Sequence, residues 1–244
     1  MKEVLTVEQL QKGQDLMNQE IIDYAKEKGL SNDNFMPISD GVASIEQYLA
    51  SSPRIMWILK EPYDKKDEVN NPKGGGWSIP EECFEIDKID WKIRSWQPII
   101  YSMYGLYNNL SRKEMDSIDN NSMANILRQI AYININKMPA LTHSSQSSIG
   151  NHYQEWKPIL FKQIELYKPE VMIFGGTLDY FWPDLFAKSL NAKAMHQYEI
   201  DNHYYLSAYK TENEVLVLQV DHPSAPINKT HYVTSIIEAI KKFS

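Results

Sequence analysis

The stretch "VLVLQVDHPSAP", residues 215–226, joins an apolar run to a short polar loop. Residues 215–220 are rich in valine and leucine, which predicts a buried β-strand. The strand stops at Asp-His-Pro-Ser, so a histidine followed by a proline stands directly after it. Ligands bind beyond the carboxyl ends of the strands in an open parallel sheet, and His222 is therefore a candidate functional residue.

Three further runs, at 54–59, 130–135 and 170–174, have the same fully apolar character, and residues 203–209 form a weaker candidate strand. Amphipathic segments with helix-start signals separate the strands, such as Thr6 before the first segment and Ser44-x-x-Gln47 before the second. The predicted helices cover 6–29, 44–50, 95–110, 122–129, 153–168, 177–190 and 230–243. This alternation predicts an α/β fold, a three-layer α/β/α domain with a central four-stranded parallel sheet.

Length and composition indicate one soluble globular domain spanning residues 1–244. We expect residues 1–50 to be an N-terminal helical extension and residues 51–244 to be the α/β core. No apolar run is long enough to span a membrane. The opening "MKEVLTVEQLQKGQ" lacks the apolar segment of a signal peptide, so we expect a cytoplasmic protein.

The single cysteine, Cys83, excludes an internal disulfide, a cysteine-based zinc site and an iron–sulfur cluster. We expect no metal and no cofactor. The formal net charge of −7 does not favour a nucleic-acid partner, because nonspecific affinity for phosphates comes from Lys and Arg. Most of the excess acid lies in residues 1–50, however, so the charge does not exclude nucleic acid.

The four predicted strand ends place chemically useful residues at one edge of the sheet. Glu61 and Tyr63 follow the first strand, Asn136 the second, a Gly-Gly pair the third, and His222 with Ser224 the last. An acid, an amide and an imidazole together are groups that an active site uses. Each residue alone also has a structural interpretation: a solvated loop carboxylate, an amide that bonds turn backbone, or a histidine with internal partners.

The order of these motifs resembles that of the uracil-DNA glycosylase superfamily. "LKEPYD" (59–64) stands where the family has Gly-Gln-Asp-Pro-Tyr-His after its first core strand. "GGGWSIP" (74–80) stands at the Gly-x-x-Phe-Ser-Val-Pro motif, and Asn136 at the strand that ends in asparagine. "HPSAP" (222–226) is similar to His-Pro-Ser-Pro-Leu at the end of the last core strand. The resemblance covers roughly residues 54–230 and implies a monomeric enzyme that acts on DNA.

The resemblance implies how a flipped pyrimidine would be recognised. Such enzymes extrude the nucleotide from the base stack into a pocket. Trp77 would stack on the base, and the Asn136 amide would pair with O4 and N3–H of uracil. Tyr63 would occupy the space that the 5-methyl group of thymine needs.

The resemblance also implies catalytic and DNA-binding roles. His222 would donate to O2 of the leaving base, and Glu61 would position water and stabilise the cationic sugar. Ser224, through its hydroxyl and backbone N–H, would hold a flanking phosphate. Two more predicted DNA contacts are Ile227, as a wedge beside the family's leucine position, and Lys229.

Several departures from the family pattern keep other functions open. Glu61 replaces an aspartate, Lys60 a glutamine, Asp64 a histidine and Trp77 a phenylalanine. One alternative is therefore a catalytically weak or inactive relative that binds a nucleobase or nucleic acid without cleaving it. A further alternative is an unrelated hydrolase that uses Ser224 with neighbouring histidine and aspartate side chains. No G-x-S-x-G elbow supports this second alternative.

Overall fold

The computed structural model describes residues 5–119, 121–141, 144–186 and 193–244. In these ranges seven strands form one mixed sheet, in the order β1-β3-β2-β4-β7-β6-β5. The strands are β1 (Gly41–Val42), β2 (Ile55–Leu59), β3 (Ala131–Asn134), β4 (Val171–Gly175), β5 (His196–Ile200), β6 (His203–Lys210) and β7 (Leu216–Val220). The predicted α/β class is confirmed.

The predicted four-stranded sheet is too small, because three more strands extend the sheet at its edges. One of them, β6, matches the weaker candidate strand at residues 203–209. The predicted strands β3, β2, β4 and β7 lie side by side in parallel register. Strand β1 pairs antiparallel with β3 at one edge. At the other edge β6 pairs antiparallel with β7, and β5 with β6. The parallel strands are therefore the centre of a larger mixed sheet.

Four helices, α1, α2, α3 and α7, begin and end within three residues of their predicted bounds, whereas α5 begins seven residues earlier than predicted. They are α1 (Val7–Glu27), α2 (Ile45–Ala50), α3 (Trp96–Tyr107), α4 (Asn121–Ala124), α5 (Gln146–Tyr167), α6 (Leu178–Leu185) and α7 (Lys229–Phe243). Thr6 and Gln9 cap α1 reciprocally, at 3.0 and 3.2 Å. After α4 the chain continues as a 3₁₀ turn, Asn125–Gln129. The part of the predicted helix at residues 187–190 lies outside the described residues.

The central strands are buried on both faces, which explains their continuous apolar sequence. In β2, Ile55, Trp57 and Leu59 face α3 and α7, whereas Met56 and Ile58 face α1 and α5. Helices therefore cover both faces of the sheet. None of the helices in the described ranges is both long and apolar enough to cross a membrane.

Residues between positions 5 and 50 contribute side chains to the core. Leu10 and Ile21 of α1 are fully buried against α5. Asp40, just before β1, forms a buried ion pair with Lys137, whose Nζ lies 2.8 Å from Oδ2. Gln163 of α5 accepts a further hydrogen bond from the same ammonium group, at 2.8 Å. This cluster ties the loop after β3, which carries Asn136, to the N-terminal segment.

Candidate functional site

Backbone hydrogen bonds align the loops that follow the parallel strands. The N–H of Asn136 donates to the carbonyl of Lys60 at 2.9 Å, so the loops after β3 and β2 run side by side. The N–H of Gly176 donates to the carbonyl of Val220 at 2.8 Å, which joins the loops after β4 and β7. The positive φ of Gly176, 70°, allows the chain to turn there. All four loops therefore meet at one edge of the sheet.

A cavity of about 230 Å³ lies at this edge. It is lined by Lys60, Glu61, Tyr63, Ser144, His222, Ser224 and Ala225. Four of the residues predicted from the sequence are thus brought together: Glu61, Tyr63, His222 and Ser224. Trp77 and Asn136 are not among the lining residues. A volume of this size suits one small ring rather than an extended ligand.

Two side-chain donors orient the carboxylate of Glu61. The hydroxyl of Ser144, at the start of the segment that leads into α5, donates to Oε1. The amide Nδ2 of Asn136 lies 3.5 Å from Oε2. A carboxylate held on both oxygens keeps a fixed direction, and this suits it to stabilise positive charge or to position a water molecule.

The amide of Asn136 is already engaged within the protein. The side chain is 3% exposed, and its Oδ1 accepts a hydrogen bond from the N–H of Met138 at 3.0 Å. This is the contact that the turn-bonding interpretation of Asn136 predicts. Its Nδ2 points towards Glu61, so Asn136 orients the carboxylate by a hydrogen bond without lining the cavity itself. To pair with a base, the amide would have to exchange these partners.

His222 is held as a neutral imidazole. The backbone N–H of Ser224 donates to Nδ1 at 3.3 Å, and the Ser224 hydroxyl lies 2.8 Å from the same nitrogen. Because Nδ1 accepts, the ring proton is on Nε2. Burial lowers the pKa of His222 to about 4, and the positive charges of Lys60 and Lys229 act in the same direction. At neutral pH this residue is therefore an uncharged Nε2–H donor.

Trp77 is positioned away from the cavity by Asp64. Its indole Nε1 donates to Oδ2 of Asp64 at 2.8 Å, and the N–H of Gly75 donates to the same oxygen at 2.6 Å. Although burial raises the pKa of Asp64, these hydrogen bonds outweigh it and hold the pKa below its ordinary value. Asp64 thus fastens the glycine-rich loop to the loop after β2. The indole itself is partly buried and packs against the hydrophobic core to which α3 and α7 contribute.

Tyr63 lines the cavity and is 52% exposed. Partial burial raises the pKa of its phenol, and the negative charge of Glu61 raises it further. The adjacent backbone is fixed, because the N–H of Ala140 donates to the carbonyl of Pro62 at 2.9 Å. The phenol therefore stays protonated near the Glu61 carboxylate at neutral pH.

The predicted DNA contacts after His222 have structural partners. The N–H and the hydroxyl of Ser224 both contact Nδ1 of His222, so a flanking phosphate would have to displace one of these contacts. Lys229 donates from Nζ to the carbonyl of Pro223 at 2.7 Å and to that of Ala225. Ile227 is half-buried and packs against the core rather than projecting as a wedge. These contacts stiffen the 222–227 loop.

Three cavity residues, Lys60, Ser144 and Ala225, were missed by the sequence interpretation, and the first two are polar. Lys60 directly precedes the predicted acid. It is the first residue after β2, and this position at a strand end could have marked it as a cavity residue. Ser144 lies in a polar loop that contains several serines, and no spacing rule distinguishes it from its neighbours. Its role becomes visible only through its hydrogen bond to Glu61.

The Ser-His-Asp alternative lacks its third member. Ser224 and His222 do touch, since the Ser224 hydroxyl lies 2.8 Å from Nδ1 of His222. The carboxylate of Asp221, however, binds Nε2 of His203 at 2.9 Å. Nδ1 of His222 is occupied by Ser224 rather than by a carboxylate, as a catalytic triad would require.

A larger cavity, of about 740 Å³, lies at the opposite edge of the sheet, beside Arg54 and Glu170. These two form an ion pair of 3.7 Å. The described residues that line this cavity include no histidine and no residue at the carboxyl end of a parallel strand. The smaller cavity therefore has the residues suited to catalysis.

Neither a scan against family models nor a search of curated proteins finds a match to this chain.

Proposed function

We propose that this protein is a DNA glycosylase that hydrolyses the N-glycosidic bond of uracil or a related damaged pyrimidine. The observation that carries the proposal is that the Glu61 carboxylate and the neutral His222 imidazole line the same small cavity. We further propose that the parallel centre of the sheet is uracil-DNA glycosylase-like and that a monomer acts on DNA. The order of the motifs supports both points.

The neutral imidazole of His222 supports the first half of the proposed reaction, which is departure of the base. As the bond between C1′ and the base nitrogen breaks, its electron pair moves onto the base and negative charge develops at O2. The Nε2–H of His222 stabilises that charge by donating a hydrogen bond. The low pKa, about 4, means that the ring keeps a preorganised dipole at neutral pH and does not act as a charged acid.

The oriented carboxylate of Glu61 supports the other half of the proposed reaction, which is stabilisation of the sugar cation and activation of water. The sugar becomes cationic in the transition state, and the negative charge of Glu61 stabilises it. Water adds to C1′, and its proton is accepted at this carboxylate. Ser144 and Asn136 keep both oxygens of Glu61 in place, which offsets the extra rotatable bond relative to aspartate.

Recognition of the base would use Tyr63 and Asn136. The Tyr63 ring lines the cavity, where it restricts the room beside a bound pyrimidine. The Asn136 amide reads the base only if Oδ1 releases the N–H of Met138 when the base enters. Trp77 reaches the base only if its indole leaves Asp64. These two rearrangements are part of the proposal.

A strand-cleavage assay tests the proposal. Single- and double-stranded oligonucleotides that contain uracil are incubated with the protein, and abasic sites are then cleaved with alkali. We expect strand breaks with the wild type and a loss of about 10²–10³-fold in rate for His222→Ala. His231→Ala is the matched control, because His231 is exposed and lies on α7 outside the cavity. Equal rates for the two variants would contradict the proposal.

The second candidate function is binding of a nucleobase or nucleic acid without cleavage. The observation that favours it is that the Asn136 amide and the Trp77 indole are satisfied within the protein. Tight binding of the uracil-containing oligonucleotide without strand breaks would support this function instead. The same samples distinguish the two candidates if binding is measured before the alkali step.

A further inference from the structure

A second cavity, of about 370 Å³, lies on the other side of the 222–227 loop. Residues in the first turns of α3 and α7 line it, and the N-terminal end of a helix carries a partial positive charge. Three cationic side chains line it: Arg94, Arg112 and Lys229. Of the described residues that line this cavity, none is acidic. Its local charge is therefore opposite in sign to the net charge of the chain.

The three cations retain donors for a ligand. Arg112 stacks on the ring of Tyr101, with its guanidinium carbon 3.8 Å from the ring centroid, and uses Nη1 to bind the Met115 carbonyl at 3.2 Å. A guanidinium has five N–H groups, so the others remain available. Lys229 uses two of its three protons on loop carbonyls. Within the described ranges, no carboxylate pairs with Arg94 or Arg112.

The charges also repel one another. Burial lowers the pKa of Lys229, and the positive charge of Arg94 lowers it further, against the opposing effect of Asp221. An anion bound between these side chains would relieve the repulsion. The planar fork of a guanidinium matches the oxygens of a phosphate, and Arg is the residue best suited to bind one.

The two cavities are adjacent, because Ala225 lines both of them. On one side of the loop lie His222 and Ser224, and on the other lie Pro226 and Ile227. A nucleotide whose base entered the first cavity would bring its own strand alongside the second. The contacts of Lys229 with the Pro223 and Ala225 carbonyls fix the wall between them.

We propose that the Arg94–Arg112–Lys229 cavity binds a backbone phosphate of the nucleic-acid strand whose base occupies the Glu61–His222 cavity. The inference deepens the proposed function and rests on it for the identity of the strand. It assigns binding to Arg94 and Arg112, which stand outside the matched motifs. It also accounts for how an acidic protein holds a polyanion, since the affinity comes from a local cluster rather than from the net charge.

Salt-dependent binding tests this site. The fluorescence anisotropy of a labelled, undamaged single-stranded oligonucleotide is measured over a range of chloride concentrations. We expect Arg94→Gln and Arg112→Gln each to weaken binding about tenfold at low salt. Each should also reduce the slope of log K against log salt by about 0.7, the value for one phosphate contact on a single strand.

Matched controls are Lys92→Gln and Lys113→Gln. Both lysines are exposed, lie within two residues of the arginines and do not line the cavity, so the same charge is removed from the same segments. We expect these variants to bind as the wild type does. Inorganic phosphate, added at constant ionic strength, should compete with the oligonucleotide in the wild type and less in Arg94→Gln. A free phosphate ligand would give that competition without any effect of Arg94 on the oligonucleotide, and this result would overturn the inference.

The outcome separates this inference from the proposed function. If the wild type releases uracil but Arg94→Gln and Lys92→Gln bind the oligonucleotide equally, the phosphate site is wrong and the enzyme proposal stands. If both arginine variants lose binding while the wild type releases no base, the phosphate site stands and the enzyme proposal fails. Arg112→Gln removes the contact with Tyr101 and can destabilise the protein. Arg94 is exposed, so we expect Arg94→Gln to fold as the wild type does and to test the site by itself.

Discussion

Acidification is expected to destabilise the protein through His222. The ordinary histidine pKa of 6.5 applies in the unfolded chain, whereas burial lowers the pKa of folded His222 to about 4. Between these values the unfolded chain binds a proton that the folded protein does not. The stabilisation is therefore fully present above about pH 6.5 and is lost progressively as the pH falls to about 4. At 1.36 kcal/mol for each pH unit, the loss is ~3 kcal/mol.

The assay is urea unfolding of the wild type and of His222→Gln, followed by tryptophan fluorescence, at about pH 7 and about pH 4. Carboxylates and the other histidines titrate in both proteins, so the difference between the two isolates His222. We expect the wild type to lose ~3 kcal/mol more than the variant on acidification. An equal loss in the two proteins would refute the neutral, buried imidazole.

Two further substitutions test the framework around the site. Lys137→Met leaves the buried carboxylate of Asp40 without its ion-pair partner, and we expect the free energy of unfolding to fall by ~3–5 kcal/mol in urea titrations. Gly75→Ala places a Cβ 1.7 Å from the Met36 carbonyl oxygen at φ 78°, whereas Gly29→Ala at φ 67° meets nothing within 4 Å. Thermal unfolding should therefore show a clearly larger loss for Gly75→Ala, and equal losses would contradict the close approach.

The centre of the fold could be predicted because its strands are buried on both faces. Such strands leave a continuous apolar run, and the segment that became β2 shows one plainly. Strand β1 has two residues, too few for any period to appear. Strand β5 alternates half-buried with exposed side chains, and its polar composition hid it. Asp201 and Asn202, both at positive φ, form the tight turn before β6 and were the available signal.

The candidate site could be predicted as far as strand ends determine position. Glu61 and His222 each stand two residues beyond a parallel strand, and sheet geometry alone brings them to one edge. The positions of Trp77 and Ser144 depend on long loops, whose paths are set by hydrogen bonds between residues distant in sequence. The Asp64 carboxylate holds one such loop. Hydrophobic periodicity in the sequence does not predict a side-chain hydrogen bond of that kind.

Release of free base from uracil-containing DNA in a single turnover tests most directly whether Glu61 and His222 act together on one nucleotide. Mass spectrometry of the wild-type reaction should find free uracil together with an abasic strand. Glu61→Gln, which keeps the side-chain length, should release it at least ~10²-fold more slowly. Wild-type protein that yields no free uracil from either single- or double-stranded DNA, or a Glu61→Gln variant as fast as the wild type, would contradict the account.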